Sequence, residues 1–182
     1  VANNIKSTAS AILILLMVGA LAGTWMVSGI IPSMIYYGLQ ILSPAIFLPA
    51  TLIICSVISI ATGSSWTTSA TVGIALIGIG GALGFDLGMV AGAVISGAYF
   101  GDKLSPMSDT TNLAPAMAGT DLFTHIKYMT LTTIPTYIIT LVLFIVLGLS
   151  VDVTGDANTD DLLNSITASF NVTPWLFLVP VI

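Results

Sequence analysis

Residues 97–116 read GAYFGDKLSPMSDTTNLAPA, a polar stretch with glycine and proline that interrupts an apolar region of the chain. Residues 87–100 are apolar and rich in small side chains, and residues 113–119 are apolar again. The two apolar arms together supply about the 20 residues that a helix needs to cross a bilayer. We therefore predict a discontinuous transmembrane helix over about residues 87–118, with its polar break at membrane depth.

The composition excludes an ordinary soluble domain. Of 182 residues, 11 are charged (6%) and 56% are hydrophobic, whereas a soluble domain has about 25% charged residues. The same low charge excludes a disordered chain, and the single cysteine excludes a disulfide scaffold. Three lysines and a net charge of −5 provide no basic surface for nucleic acid. We therefore predict an integral membrane protein surrounded by the lipid bilayer.

The apolar runs are continuous, which indicates helices rather than the alternating strands of a barrel. Two of them, about 11–31 and 122–149, are long enough to cross the membrane. Pro32 is expected to end the first span. Residues 33–43 then form either a helix at the membrane interface or a loop with one helical turn.

The C-terminal part of the chain alternates between apolar and polar segments. Thr120 or Asp121 is expected to cap the span over 122–149. Residues 150–173 contain four aspartates and no lysine, and they are predicted to form an exposed loop. Residues 174–182 begin a further span, so we expect the chain to be part of a longer protein.

Residues 47–84 predict a second unusual element. Two apolar arms, 47–61 and 70–84, are each about 15 residues long, which is short for a membrane-crossing helix. The sequence TGSSWTTS at 62–69 lies between them and carries six hydroxyl groups. We interpret this pattern as a re-entrant hairpin with a polar tip, which must be buried in protein or line a wet cavity. The alternative is a pair of ordinary spans joined by a surface turn.

The break at residues 101–112 is rich in oxygen ligands. A helix that ends near Gly101 presents carbonyl groups, and a helix that begins at Ser108 or Asp109 presents N–H groups and the positive end of its dipole. The side chains that could bind Na⁺ are two carboxylates and five neutral groups: Asp109, Asp102, Ser105, Ser108, Thr110, Thr111 and Asn112. A carboxylate in a low-dielectric site favours its protonated form, while a bound cation favours the ionised form. One carboxylate can therefore hold either H⁺ or Na⁺.

Between the two carboxylates, Asp109 is the preferred shared group and Asp102 is the second candidate. The reason is that Lys103 stands next to Asp102 as a neutralising partner. In the alternative interpretation, the break is a loop at the membrane surface, where Asp109 only caps a helix and Lys103 extends towards water. Because charged groups facing lipid are costly, placement at membrane depth would favour the ion site.

Two runs of this sequence strongly resemble the signature of the NhaC family of Na⁺/H⁺ antiporters: residues 97–116, quoted above, and residues 61–68, which read ATGSSWTT. The resemblance extends over most of residues 30–129. It implies the fold of a wider superfamily of ion transporters, in which two inverted repeats each contribute a re-entrant hairpin and a broken helix. It also implies that the hairpin tip faces residues 102–112 as half of a site, with Thr62, Ser64, Ser65 and Thr67 as its ligands.

The expected fold is thus an all-α membrane protein, with a re-entrant hairpin and a discontinuous helix in one half of an inverted-repeat transporter. The resemblance implies that the chain is about one repeat and that its partner repeat lies elsewhere in the same polypeptide. A homodimer is a further assembly that we consider. We expect a multi-pass protein in the cell membrane of a bacterium or an archaeon.

Three functions can be compared. The first is a secondary antiporter that exchanges Na⁺ for H⁺ by alternating access, with no cofactor apart from the transported ions. The second is an exchanger of small organic anions, such as malate against lactate, coupled to Na⁺ or H⁺. The third is an intramembrane aspartyl protease, which needs a Gly-x-Gly-Asp motif, whereas Tyr-Phe-Gly precedes Asp102 here. We therefore predict a transporter and not an enzyme.

Overall fold

The computed structural model describes residues 13, 16, 17, 19–151 and 159–179, and every regular element in these ranges is helical. The elements, in chain order, are α1 (Gly19–Val27), α2 (Ile30–Ile41), α3 (Pro44–Thr62), α4 (Ser65–Thr68), a π-helical turn (Ser69–Gly73), α5 (Ile74–Ala82), α6 (Leu87–Leu104), α7 (Asp109–Ala118), α8 (Leu122–Ser150), α9 (Thr159–Ser169) and α10 (Pro174–Leu178). Two of the described helices, α3 and α8, are long and apolar enough to cross a membrane. The expected all-α membrane class is confirmed.

The first span differs from the expectation. The described part of it is not one straight helix, because α1 and α2 meet at an angle of 70°. The bend falls at Gly29, whose φ of 86° is accessible to glycine and strained for other residues. Pro32 does not end the helix as expected, because it lies in the first turn of α2, where a missing N–H leaves no hydrogen bond unmade. Residues 33–41 continue α2, so the helical interpretation of that segment is correct.

The core of the fold is the contact between α3 and α6, the most extensive between any two described helices. Its centre is Gly97-x-x-x-Gly101 on α6, which brings the two backbones together. A Cβ atom at Gly101 would lie 2.5 Å from the Ser56 carbonyl oxygen. A Cβ atom at Gly97 would overlap the Leu52 carbonyl oxygen. Small residues at this spacing allow close helix packing in membranes, where burial from water cannot drive association.

The hairpin has longer arms than the sequence indicated. Its first arm, α3, has 19 residues, so the expectation that it is too short to cross a membrane is wrong. Proline at its first position allowed the helix to begin at Pro44, three residues before the expected start. The second arm consists of α4, the π-helical turn and α5, which runs to Ala82.

The helix α8 is antiparallel to α3. Gly148, near its C-terminal end, packs against Ala45 and Pro49 at the start of α3, while Tyr137 lies beside Ser56 further along. Asp121 caps α8 by accepting a hydrogen bond from the Thr124 N–H at 3.0 Å, as expected.

The segment after α8 is not the uninterrupted loop that was expected, because residues 159–169 form α9. Leucine and isoleucine side chains at 163 and 166 give this polar segment an apolar side, and Ile166 is buried. A further helix, α10, begins at Pro174 and packs against α2.

The glycine contact between α3 and α6 can be tested with two matched substitutions in α6 of the full-length protein. Gly97→Ala should lower the free energy of unfolding by about 1–3 kcal/mol or abolish folding, because the new methyl group would overlap the Leu52 backbone, which cannot move aside. Gly92→Ala should be neutral or slightly stabilising, because its Cβ would lie 3.7 Å from Phe144 and alanine favours helices. Thermal unfolding in detergent would distinguish them, and equal stability of both variants would contradict this packing.

Candidate functional site

The site is formed where the turn of the hairpin meets the break between α6 and α7. The α3 helix ends at Thr62 and is followed by Gly63, whose φ of 69° is a left-handed backbone conformation. A Cβ atom at this glycine would lie 2.6 Å from the carbonyl carbon of Met107, so the two backbones are in direct contact. Ser105, which is fully buried, donates a hydrogen bond of 2.7 Å to the Ile60 carbonyl. Tip and break therefore form one contact surface.

One carboxylate reaches this surface. The side chain of Asp102 is 7% exposed, and its Oδ2 accepts a hydrogen bond of 3.1 Å from the hydroxyl of Ser65, which is 4% exposed. The two residues are 37 positions apart in the sequence, and the pairing depends on how α6 is rotated against α3. The glycines at 97 and 101 fix that rotation. Asp102 is thus a buried carboxylate in contact with the hydroxyl-rich tip.

The second carboxylate occupies a different environment. Asp109 is exposed, and its Oδ1 accepts a 2.8 Å hydrogen bond from the neighbouring Thr110 N–H. It lies in the first turn of α7, where the helix dipole favours a negative charge. From the sequence, Asp109 was preferred to Asp102 as the shared carboxylate. In the structure, Asp102 is the carboxylate that contacts the hairpin tip.

The break itself is four residues long, from 105 to 108, and is shorter than the expected 101–112 because both helices extend into it. Ser108 caps α7, as expected, by accepting from the Thr111 N–H at 3.4 Å. The amide of Asn112 donates to the carbonyl oxygens of Pro106 and Ser108, both at 2.7 Å. These contacts all lie between the break and the first turn of α7.

Thr111 contacts carbonyl oxygens at the C-terminal end of α6 that could otherwise bind a cation. Its hydroxyl, 2% exposed, lies 3.1 Å from the Asp102 carbonyl oxygen and 3.3 Å from that of Lys103. Some of the carbonyl groups that were expected to be free for an ion are therefore already engaged.

The tip residues divide into two groups. Ser64 caps α4 by accepting from the backbone N–H and the hydroxyl of Thr67, at 3.2 and 3.1 Å. Thr62 is exposed, and its Oγ1 lies 3.4 Å from that of Thr68. Of the four proposed tip ligands, Ser65 is the one whose hydroxyl contacts a carboxylate, while the others organise the turn.

Lys103 does not neutralise Asp102. Its side chain is exposed, it forms no ion pair with another described residue, and it lines a cavity between α6 and α8 together with Tyr137 and Thr133. These α8 residues are not among the site residues predicted from the sequence. A signal was present, because Thr133, Tyr137 and Thr140 recur at the spacing of one helix face in an otherwise apolar span.

In the described ranges, no three His, Cys, Asp or Glu side chains cluster as a metal site would require. The geometry instead provides single carboxylates with neutral hydroxyls and amides, and such oxygen ligands suit a hard cation better than a soft transition metal.

Comparisons with known proteins agree with the family resemblance of residues 61–68 and 97–116. A model of the Na⁺/H⁺ antiporter family matches residues 97–182. The Na⁺/H⁺ antiporter NhaC of Alkalihalophilus pseudofirmus is 44% identical and aligns with 94% of this chain and 37% of its own length. The chain belongs to the NhaC family of Na⁺/H⁺ antiporters. It is accordingly a multi-pass protein of the cell membrane.

Other relatives carry different names. The malate-2H⁺/Na⁺-lactate antiporter of Bacillus subtilis is 47% identical over 100% of this chain and 39% of its own length. The arginine/ornithine antiporter ArcD of Halobacterium salinarum is 43% identical over 85% of this chain and 32% of its own length. The chain thus spans about two fifths of the length of such relatives. No solved structure matches it.

The docking of tip and break predicts different effects of two hydroxyl deletions in the full-length protein. Ser105→Ala should destabilise it by about 1–3 kcal/mol, because the Ile60 carbonyl and the Met107 N–H both lose a buried partner. Thr110→Ala should change the stability little, because the Thr110 side chain is exposed and its hydroxyl contacts one group, the Ser108 hydroxyl, at 3.0 Å. Thermal unfolding of both variants is the measurement, and a Ser105→Ala variant as stable as the wild type would contradict the docked arrangement.

Proposed function

We propose that this chain is part of a secondary antiporter that exchanges Na⁺ for H⁺ across the cell membrane by alternating access. The observation that carries the proposal is the buried contact between the Asp102 carboxylate and the Ser65 hydroxyl, where the hairpin tip meets the helix break. Membership of the NhaC family supports the same activity.

The contact can serve both ions at one place. A hydroxyl group rotates freely, so Ser65 can donate to the ionised carboxylate or turn its oxygen lone pairs towards a cation. Asp102 can accept a proton, or it can stay ionised and balance the charge of Na⁺. Because a proton and a sodium ion compete for one carboxylate, release of one permits binding of the other. This exchange requires no cofactor beyond the two transported ions.

We place the shared carboxylate at Asp102 and keep Asp109 as the second candidate. Asp102 is buried against the tip, whereas Asp109 is exposed in the described part of the chain. Thr110 and Asn112 are exposed on the same first turns of α7. We propose that this exposed surface faces the second repeat of the longer polypeptide, where Asp109 would contribute to a site shared by both repeats. A homodimer is compatible with this arrangement.

The register between α3 and α8 supports a re-entrant tip. Ser56 lies beside Tyr137, and α3 continues for six residues, about 9 Å, to its end at Thr62. In the same direction α8 continues 15 residues, about 22 Å, to its start at Leu122. The tip therefore ends about 13 Å short of the α8 terminus.

The length of α8 relates this offset to the depth of the tip in the bilayer. Its 29 residues extend about 43 Å, which matches the roughly 40–45 Å of a whole bilayer including headgroups. If α8 crosses the bilayer fully, its end lies at the headgroup surface, and a tip about 13 Å inside lies in the outer part of the hydrocarbon. This supports a tip within the membrane, about 13 Å from one surface and about 8 Å from the midplane.

The proposal predicts unequal effects of removing the two carboxylates in the full-length protein. Asp102→Asn should abolish Na⁺-driven proton movement in vesicles, and any Na⁺ binding that remains should be nearly independent of pH, since asparagine cannot hold the competing proton. Asp109→Asn should keep exchange with an altered apparent affinity for Na⁺. Asp86→Asn is the matched control, because asparagine can still cap α6 at its opposite end.

The outcomes separate the assignments. Loss of exchange in Asp109→Asn with normal exchange in Asp102→Asn would transfer the shared role to Asp109. Normal exchange in both variants, at wild-type amounts in the membrane, would refute the shared-carboxylate mechanism for this segment.

The tip hydroxyls predict a graded effect on the same assay. Ser65→Ala should weaken the apparent affinity for Na⁺ by about tenfold, because it removes a hydroxyl that contacts a charged group. Its maximal rate should change less, because the carboxylate remains. Thr67→Ala should have a smaller effect, since its hydroxyl contacts Ser64 rather than Asp102. Unchanged affinity in Ser65→Ala would indicate that the tip is structural.

A second candidate function is the exchange of small organic anions coupled to Na⁺ or H⁺. One relative is named a malate-2H⁺/Na⁺-lactate antiporter, and Lys103 provides a positive charge without a partner in the described part of the chain. The same vesicle assay with malate and lactate distinguishes the two functions.

A further inference from the structure

A cleft of about 270 Å³ lies between α6 and α8, outside the contact of tip and break. The residues that matter for its chemistry are Ser96, Tyr99, Phe100, Lys103, Thr133 and Tyr137. Its volume is just below the roughly 300–1,000 Å³ of sites for drug-sized molecules, so the cleft suits a small ligand.

The lysine in this cleft lies at an unusual depth. The α8 residues of the lining fall between 133 and 140, in the middle third of a helix that runs from Leu122 to Ser150. Lys103 is therefore beside the central part of a membrane span. A lysine at such depth costs about 3 kcal/mol or more unless an anion or water compensates its charge. An intramembrane lysine of this kind indicates a functional site.

No described carboxylate compensates that charge. Asp102, its neighbour in sequence, is directed to Ser65. Asp121 is occupied in capping α8, well away from residues 133–140 along the helix. Lys103 thus has three N–H donors and no ion pair within the described ranges.

Further donors line the same cleft. The hydroxyls of Ser96 and Thr133, both half-buried, form no hydrogen bond with another described residue. By contrast, Thr136 and Thr140 donate to carbonyl groups of their own helix, at 2.8 and 2.9 Å. The cleft therefore combines one positive charge with two free hydroxyl donors, which is the complement of a carboxylate group.

One wall of the cleft is apolar and fixed. The rings of Phe100 and Tyr137 stack with their centroids 3.8 Å apart, and the Tyr137 hydroxyl is held 3.0 Å from the Ser56 Oγ on α3. A pre-formed aromatic wall can contact the short carbon skeleton of a ligand whose carboxylate meets the lysine. Inorganic anions would make no use of this surface.

We propose that the cleft between α6 and α8 binds the carboxylate group of a small organic anion, with Lys103 as its countercharge and Ser96 and Thr133 as hydrogen-bond donors. This inference rests on the second candidate function, the exchange of small organic anions, and gives that substrate class a binding site. The phosphate of a lipid could offer the same charge, but a headgroup lies at the bilayer surface, far from the centre of α8.

The test is direct binding to the purified full-length protein in a neutral detergent, measured by calorimetry with lactate and malate. Lactamide, the uncharged amide of lactate, is the matched ligand control. Lys103→Gln should weaken carboxylate binding at least tenfold, and Lys103→Arg should restore most of it. Thr133→Val should weaken binding several-fold, whereas Thr132→Val should not, because the Thr132 hydroxyl donates to its own helix and does not line the cleft.

The outcomes separate this inference from the proposed exchange of cations. Carboxylate binding that is lost in Lys103→Gln and absent with lactamide supports the site, whether or not Na⁺ moves protons in the wild type. Equal binding in wild type and Lys103→Gln, or no binding of either carboxylate, overturns it even where Na⁺/H⁺ exchange is intact. Loss of a bound anionic lipid from Lys103→Gln, with no effect of lactate or malate, would assign the charge to a lipid and also overturn it.

Discussion

The close approach of α3 and α6 through Gly97 and Gly101 is the contact on which the other features depend. In a membrane, where apolar burial provides little attraction between helices, packing at backbone distance and internal hydrogen bonds must hold the structure together. A side chain at either glycine would push α6 away from the Leu52 and Ser56 carbonyls. That displacement would also separate Ser105 from Ile60 of α3, and it would move Asp102 of α6 away from Ser65 of α4.

The glycines set the rotation of α6 about its axis, and this rotation places the neighbouring side chains of Asp102 and Lys103 in different surroundings. Asp102 is directed to the hairpin, while Lys103, one residue later, is directed to α8. Consecutive residues of a helix point about 100° apart, so opposite charges that are adjacent in sequence need not form a pair. A negative site and a positive site can thus coexist on the last turn of one helix.

The sequence predicted those features that depend on local chemistry. The break at Pro106 and the caps at Ser108 and Asp121 were correct, because each follows from the backbone needs of a helix end, whereas α6 continues past Gly101 to Leu104. The first bend was misplaced, since Pro32 is tolerated in a first turn and Gly29 is not obvious among other glycines of an apolar run. The ranking of Asp109 over Asp102 relied on Lys103 as a neighbour in sequence, and the pairing of Ser65 with Asp102 depends on packing that no local pattern encodes.

The π-helical turn Ser69–Gly73 lies directly after the residues that touch the break. A π turn contains one residue more than the α-helical turn it replaces, so its conversion to α-helix changes the register of the arm by one residue. Such a shift would rotate the preceding turn by about 100° and carry the Ser65 hydroxyl away from Asp102, while the glycine-locked first arm kept its place. A conversion between π and α geometry in the second arm would therefore make or break this contact without moving α3.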